Sequence, residues 1–310
     1  MPHNTNLLVV ERRILQKLDD RRHIIRCVKS YQRGDLWGLV LEPVADGYLS
    51  SLLSDTHGTC GEEKAFRYRN LMKSFGCLAR SLEHIHSNQI RHRDIKPDNI
   101  LYLEEDGSYH FIWIDFGVSN DTGSATTDFQ NLTPRYSAPE YIPPEITTTS
   151  PSSSASQMEH HFPADIFSFG VVVLEILSLL IGEHPSTADT PGAFHQCALE
   201  PMRFCDAIDD LKRWAKQQID KNKHITHHRR LKILLETAAK MIDRDPDERP
   251  TAGEVARIFF SEDASLFCAH CKKELHDSGA ATRRAPVNGH HNPLSLMRRP
   301  TFVRAIEVAG

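Results

Sequence analysis

The sequence is short of what would mark a nucleic-acid binder, a membrane protein or a disulfide scaffold. Its 37 lysines and arginines do not outnumber its 41 aspartates and glutamates, and a formal charge of −4 leaves no basic footprint for nucleic acid. No apolar run is read as approaching the roughly 18–20 residues that a membrane span needs. The start, Met1-Pro2-His3-Asn4, lacks a basic region followed by an apolar core. These absences predict a chain that stays inside the cell, in cytoplasm or nucleus, with neither nucleic acid nor membrane as partner. The 7 cysteines are an odd, scattered set, which fits reduced thiols better than a disulfide framework.

What is present suits a folded domain. The 310 residues, 40% of them hydrophobic and 25% charged, can bury a sizeable core. Between positions 6 and 18, Leu7, Val10, Ile14, Leu15 and Leu18 recur at helical spacing with charges between them, predicting an amphipathic helix. Two β-rich runs, Ile24 to Tyr31 and Leu36 to Val44, flank Gln32-Arg33-Gly34-Asp35 and predict a hairpin. From Lys64 to Ser87, Leu71, Phe75, Leu78, Leu82 and Ile85 follow a three-and-four rhythm, predicting a long helix. Further helices are expected over 163–182, 203–220 and 228–243. The run Thr147 to Gln157 offers nothing to bury against its ordering entropy and reads as a solvated insertion. Beyond about His276, Gly, Pro, Arg, Asn and His dominate, and a mostly disordered tail is expected.

Three motifs then appear in order: His92-Arg93-Asp94-Ile95-Lys96-Pro97-Asp98-Asn99, Asp115-Phe116-Gly117 and Ala138-Pro139-Glu140. Over about residues 5–260 the chain resembles the protein kinases of the serine/threonine type. The resemblance implies an α+β fold. Residues 1–44 would be a partial N-lobe (helix αC, two strands, hinge), 45–260 a helical C-lobe carrying the insertion near 147–157, and 261–310 a tail, mostly disordered. It also implies Mg-ATP and a protein substrate. Phosphoryl transfer through a loose transition state asks mainly for positioning and charge neutralisation. By resemblance, Asp94 would orient the substrate hydroxyl and accept its proton, and Lys96 would neutralise the transferring phosphoryl. Asn99 and Asp115 would hold Mg²⁺ through oxygen. Thr133, in Thr-Pro-Arg-Tyr, would contact the catalytic Asp94 and Lys96. Thr126 and Thr127 are the candidate phosphosites.

Other matches are supporting. Glu11 stands where the αC glutamate would be. Leu15, Cys27, His92 and Phe116 fall where such domains stack side chains between αC and the Asp-Phe-Gly loop. Glu140 and Arg249 resemble a buried ion pair, and Asp165 resembles the aspartate that anchors the catalytic loop. Leu41, Glu42 and Val44 would form the hinge against adenine, with Leu101 beneath it; Pro43 has no N–H, which makes Val44 the better donor.

Three departures stand out. No Gly-x-Gly-x-x-Gly and no Val-Ala-Ile-Lys-like segment precedes Glu11, so the resemblance leaves two readings: a kinase whose given sequence lacks its start, or a pseudokinase acting as a scaffold. The resulting half-sheet would expose a strand edge, predicting poor solubility unless a partner protein covers it. The stretch between Glu140 and Asp165 is longer than the family pattern. Finally, Cys268-Ala269-His270-Cys271 has zinc-ligand spacing without a second cysteine pair; His270, His276 or His290 could complete a site, but a plain pair of reduced cysteines is the expectation.

Overall fold

The computed structural model describes residues 3–18, 22–33, 36–121, 134–141, 162–182, 194, 203–224, 227–281 and 304–308. Helix α1 (His3–Lys17) precedes the antiparallel pair β1 (Arg26–Arg33) and β2 (Leu36–Glu42), which puts helix and hairpin where periodicity predicts them. Ile14, Leu15 and Leu18 are buried, whereas Val9 on the opposite face is exposed. Arg26 and Glu42, directly paired across the two strands, form an ion pair.

The long helix α3 (Gly61–Ser87), which follows β3 (Gly47–Tyr48) and α2 (Leu49–His57), buries all five periodic residues, from Leu71 to Ile85, without measurable exposure. After it come β4 (Ile90–Arg91), β5 (Ile100–Glu105), β6 (Ser108–Trp113) and β7 (Asn120–Asp121). Strands β3, β5 and β6 form one antiparallel sheet, and β4 pairs with β7, so the catalytic-loop motif is slung between β4 and β5.

Helix α4 (Phe162–Leu180) corrects the expectation about apolar runs. It is long and apolar enough to cross a membrane by length and composition, but most of it is buried within the protein. Glu175 interrupts the apolar run in the sequence. On α4 packs α6 (His228–Met241), on α6 packs α5 (Ile208–Lys221), and α7 (Ala252–Glu262) lies against α3 and α6. A reciprocal cap starts α7: Thr251 Oγ1 accepts from the Glu254 N–H while Glu254 accepts from the Thr251 N–H.

The tail departs from the expected disorder in two stretches. Helix α8 (Ala269–Ala281) follows Leu266 and Phe267, whose side chains are buried where the chain packs along α3; these apolar groups compensate the entropy of ordering. Strand β8 (Arg304–Val308) pairs antiparallel with β2, giving the order β1-β2-β8. The second edge of β2, expected to need a partner protein, is thus covered by the chain itself. The Ser-rich insertion and the threonines Thr126, Thr127 and Thr133 lie outside the described residues.

Candidate active site

The catalytic-loop motif folds into a compact cluster because its residues are near neighbours in the chain. Pro97, with its fixed φ, opens a 3-10 turn over Pro97–Asn99, and this turn directs Asn99 back to Asp94. The Asn99 amide donates both protons, to the Asp94 backbone carbonyl at 2.8 Å and to its carboxylate at 2.7 Å. Lys96 Nζ reaches the same carboxylate oxygen at 2.7 Å. Asp94 and Asn99 are buried, and Lys96 is partly so.

Asp165 of α4 sets the orientation of the whole loop. Its carboxylate accepts the backbone N–H groups of His92 and Arg93, each at 2.8 Å, and a hydrogen bond from His86 Nε2 at 3.0 Å. Burial acts to raise its pKa, but the hydrogen bond and charge of His86, with His92 and the Arg93 N–H, hold it below the usual carboxylate range. Arg93 adopts φ of 72°, a left-handed conformation that a non-glycine residue keeps only when its surroundings impose it.

The Asp-Phe-Gly segment leaves β6 beside this loop. The Phe116 ring is buried 4.9 Å from the imidazole of His92, whose Nε2 lies 3.0 Å from the Ile114 carbonyl. Asp115 also has positive φ, 63°, and its carboxylate is exposed. Glu11 arrives from α1, accepts the Phe116 N–H at 3.4 Å, and lies next to Asp115. Burial, reinforced by the Asp115 charge, pushes Glu11 up to about 7 despite the Phe116 N–H. Among the described residues no lysine or arginine forms an ion pair with it.

The expected residues thus fall into groups. Asp94, Lys96 and Asn99 touch one another, and Glu11 meets the Asp115-Phe116 segment. Leu15 is buried, while Cys27 is partly buried at an irregularity in β1. Leu41 and Leu101 are buried, and Glu42 and Val44 are half-buried at and after the end of β2. Arg249 and Glu140 make the expected pair through two hydrogen bonds. Thr133 lies outside the described residues.

Sequence reading missed Glu175, which accepts the Tyr136 hydroxyl proton at 2.9 Å and is pushed up to about 7 by burial, partly offset by Tyr136 and Arg135. A glutamate amid the apolar residues of α4 was the available signal.

The donor set suits a hard cation. Because both Asn99 amide protons point at Asp94, its carbonyl oxygen faces the other way, and the exposed Asp115 carboxylate offers a second oxygen ligand.

The protein kinase domain model matches residues 2–260. The chain is 31% identical over 229 residues to serine/threonine-protein kinase RAD53 of Saccharomyces cerevisiae, covering 70% of this chain and 26% of that protein. It is 30% identical over 190 residues to the serine/threonine-protein kinase stk11 homolog of Dictyostelium discoideum, covering 60% and 29%. To the LRR receptor-like serine/threonine-protein kinase FEI 2 of Arabidopsis thaliana it is 31% identical over 208 residues, covering 65% and 31%. The chain therefore spans roughly a quarter to a third of the length of these relatives. The family match over most of the chain, together with a catalytic loop and Asp-Phe-Gly segment of this geometry, establishes that the chain belongs to the eukaryotic-type protein kinase family, on its serine/threonine branch.

Proposed function

We propose that this chain transfers the terminal phosphoryl group of ATP to serine or threonine hydroxyls of protein substrates. The observation that carries the reading is the Asp94 carboxylate, buried, oriented by Asn99 and paired with Lys96. In this role Asp94 aligns the substrate hydroxyl and takes its proton, while Lys96, already 2.7 Å from that carboxylate, compensates charge on the transferring group. Asn99 and Asp115 would hold Mg²⁺, which when bound supplies charge neutralisation on the phosphates. The end of β2, with Leu41, Glu42 and Val44, would receive adenine above Leu101, and Thr133 would contact Asp94 and Lys96. Protein substrates and ATP are the partners this reading requires, and an intracellular site of action accompanies it.

One observation favours a second reading, a nucleotide-binding or scaffold module without transfer. Glu11 lies buried beside Asp115 with no cationic partner among the described residues, so the charge balance of the nucleotide site is incomplete. Radiolabelled ATP and a mixed protein substrate decide between them. Transfer by the unaltered chain that Asp94→Asn abolishes, with nucleotide binding retained, supports the kinase reading. Transfer by Asp94→Asn at the parent rate overturns the assignment of Asp94, and binding without transfer in the unaltered chain selects the scaffold.

A further inference from the structure

Four zinc-type ligands from three separate stretches of the sequence meet in one place. His23 lies just before β1, Cys77 within α3, Cys268 just ahead of α8 and Cys271 in its first turn. Their ligand atoms all lie within 4.8 Å of one another. His23, Cys77 and Cys271 are buried, and Cys268 is partly so. Around a tetrahedral zinc with bonds of about 2.3 Å to sulfur and 2.0–2.1 Å to nitrogen, ligand atoms sit roughly 3.4–3.8 Å apart. His23 Nε2 and Cys268 Sγ are already at 3.4 Å. The remaining edges need to contract by about 1 Å at most to reach that geometry.

The surroundings prepare these atoms as ligands. His23 Nδ1 lies 2.6 Å from the Phe111 carbonyl oxygen, which only an N–H can satisfy, so the lone pair is on Nε2, the nitrogen that faces the sulfurs. The His23 backbone is held as well, its carbonyl accepting the Trp113 N–H at 3.0 Å. Two backbone N–H groups point at sulfur: Cys268 donates to Cys77 Sγ at 3.2 Å and Cys271 to Cys268 Sγ at 3.5 Å. Donors of this kind favour thiolates. Three thiolates and a divalent ion leave one negative charge, and Arg22 and Arg80 line the adjoining cleft with His23 and Cys271.

The histidines near the Cys-x-x-Cys pair in the sequence do not join it. His270 turns to Glu274 at 3.4 Å, His276 packs its ring 5.1 Å from Phe260, and His290 lies outside the described residues. Cys268 and Cys271 are free thiols, as expected, and Cys77 and His23 stand beside them.

We propose that His23, Cys77, Cys268 and Cys271 form a structural zinc site that staples the C-terminal helix α8 to α3 and to the segment joining α1 and β1. Soft thiolates with one imidazole, four ligands and no position left for substrate are the set that structural zinc takes.

The test is to purify the full chain without a histidine tag or chelator, measure its metal by mass spectrometry, and exchange the metal for Co²⁺. About one zinc per chain, with thiolate-to-cobalt charge-transfer absorption and the intense visible bands of a tetrahedral cobalt site, is expected. His270→Ala and His276→Ala should keep the metal, whereas Cys268→Ser with Cys271→Ser should lose it. A purified chain that holds no zinc and gives no such cobalt bands overturns the proposal, as does a Cys268–Cys271 disulfide in its place. So does full zinc in the double serine variant. If that variant fails to fold, the cobalt spectrum of the unaltered chain decides.

Discussion

Arg249 grips Glu140 through two nitrogens, at 2.7 and 2.9 Å, with the guanidinium side chain wholly removed from solvent. The two partners do not share the burden equally. Arg249 also donates to the carbonyls of Asp243, Pro163 and Arg244 and lies over the Phe167 ring, whereas Glu140 is partly exposed.

Arg249→Ala should therefore lower stability by about 3–5 kcal/mol, because it strands three carbonyls and a carboxylate. Glu140→Gln keeps an acceptor and should cost about 1–2 kcal/mol. Denaturant unfolding of both variants checks the order; equal losses would show that the ion pair, not the carbonyl contacts, dominates.

Glu175 predicts a pH dependence. Its folded pKa, pushed up to about 7 from 4.5, means that between these values the folded state holds a proton that the unfolded state has released. Stability should then fall as pH rises through that window and stay reduced above it. Glu175→Gln, which still accepts from Tyr136, should flatten this slope and be more stable at pH 8 by roughly 1–2 kcal/mol, a value reduced because part of the side chain meets solvent. Thermal unfolding at pH 5 and pH 8 measures it, and parallel slopes for parent and variant would refute the assignment.

Gly76 lets α3 and the C-terminal extension approach closely. A Cβ there would stand 2.5 Å from the Phe267 ring and 2.6 Å from the Leu266 carbonyl oxygen. Gly76→Ala gains about 1 kcal/mol of helix propensity, but the overlap should cost about 1–3 kcal/mol and loosen the extension. Faster proteolytic release of residues 264–281 is the expected readout.

Removing residues 304–310 uncovers the β2 edge that β8 pairs. The truncated chain should self-associate with rising concentration, as an unpaired edge templates pairing with another chain. Light scattering against the full chain tests this; a mass that stays the same as the full chain's at every concentration would mean that β8 does not protect the edge.

The long helices and the hairpin were legible because burial on one face imposes a period on the residues themselves, as Leu71 to Ile85 and the Leu36–Glu42 strand illustrate. The contact of Asp94, Lys96 and Asn99 has a related cause: they lie within six residues of one another, so their spacing in the chain nearly dictates that they meet. Glu11 beside Asp115, Tyr136 on Glu175, the tail strand on β2 and His23 against Cys268 were decided only by the tertiary structure. Each of these depends on how distant elements pack, and no local period or spacing records which partner a side chain will meet across the core.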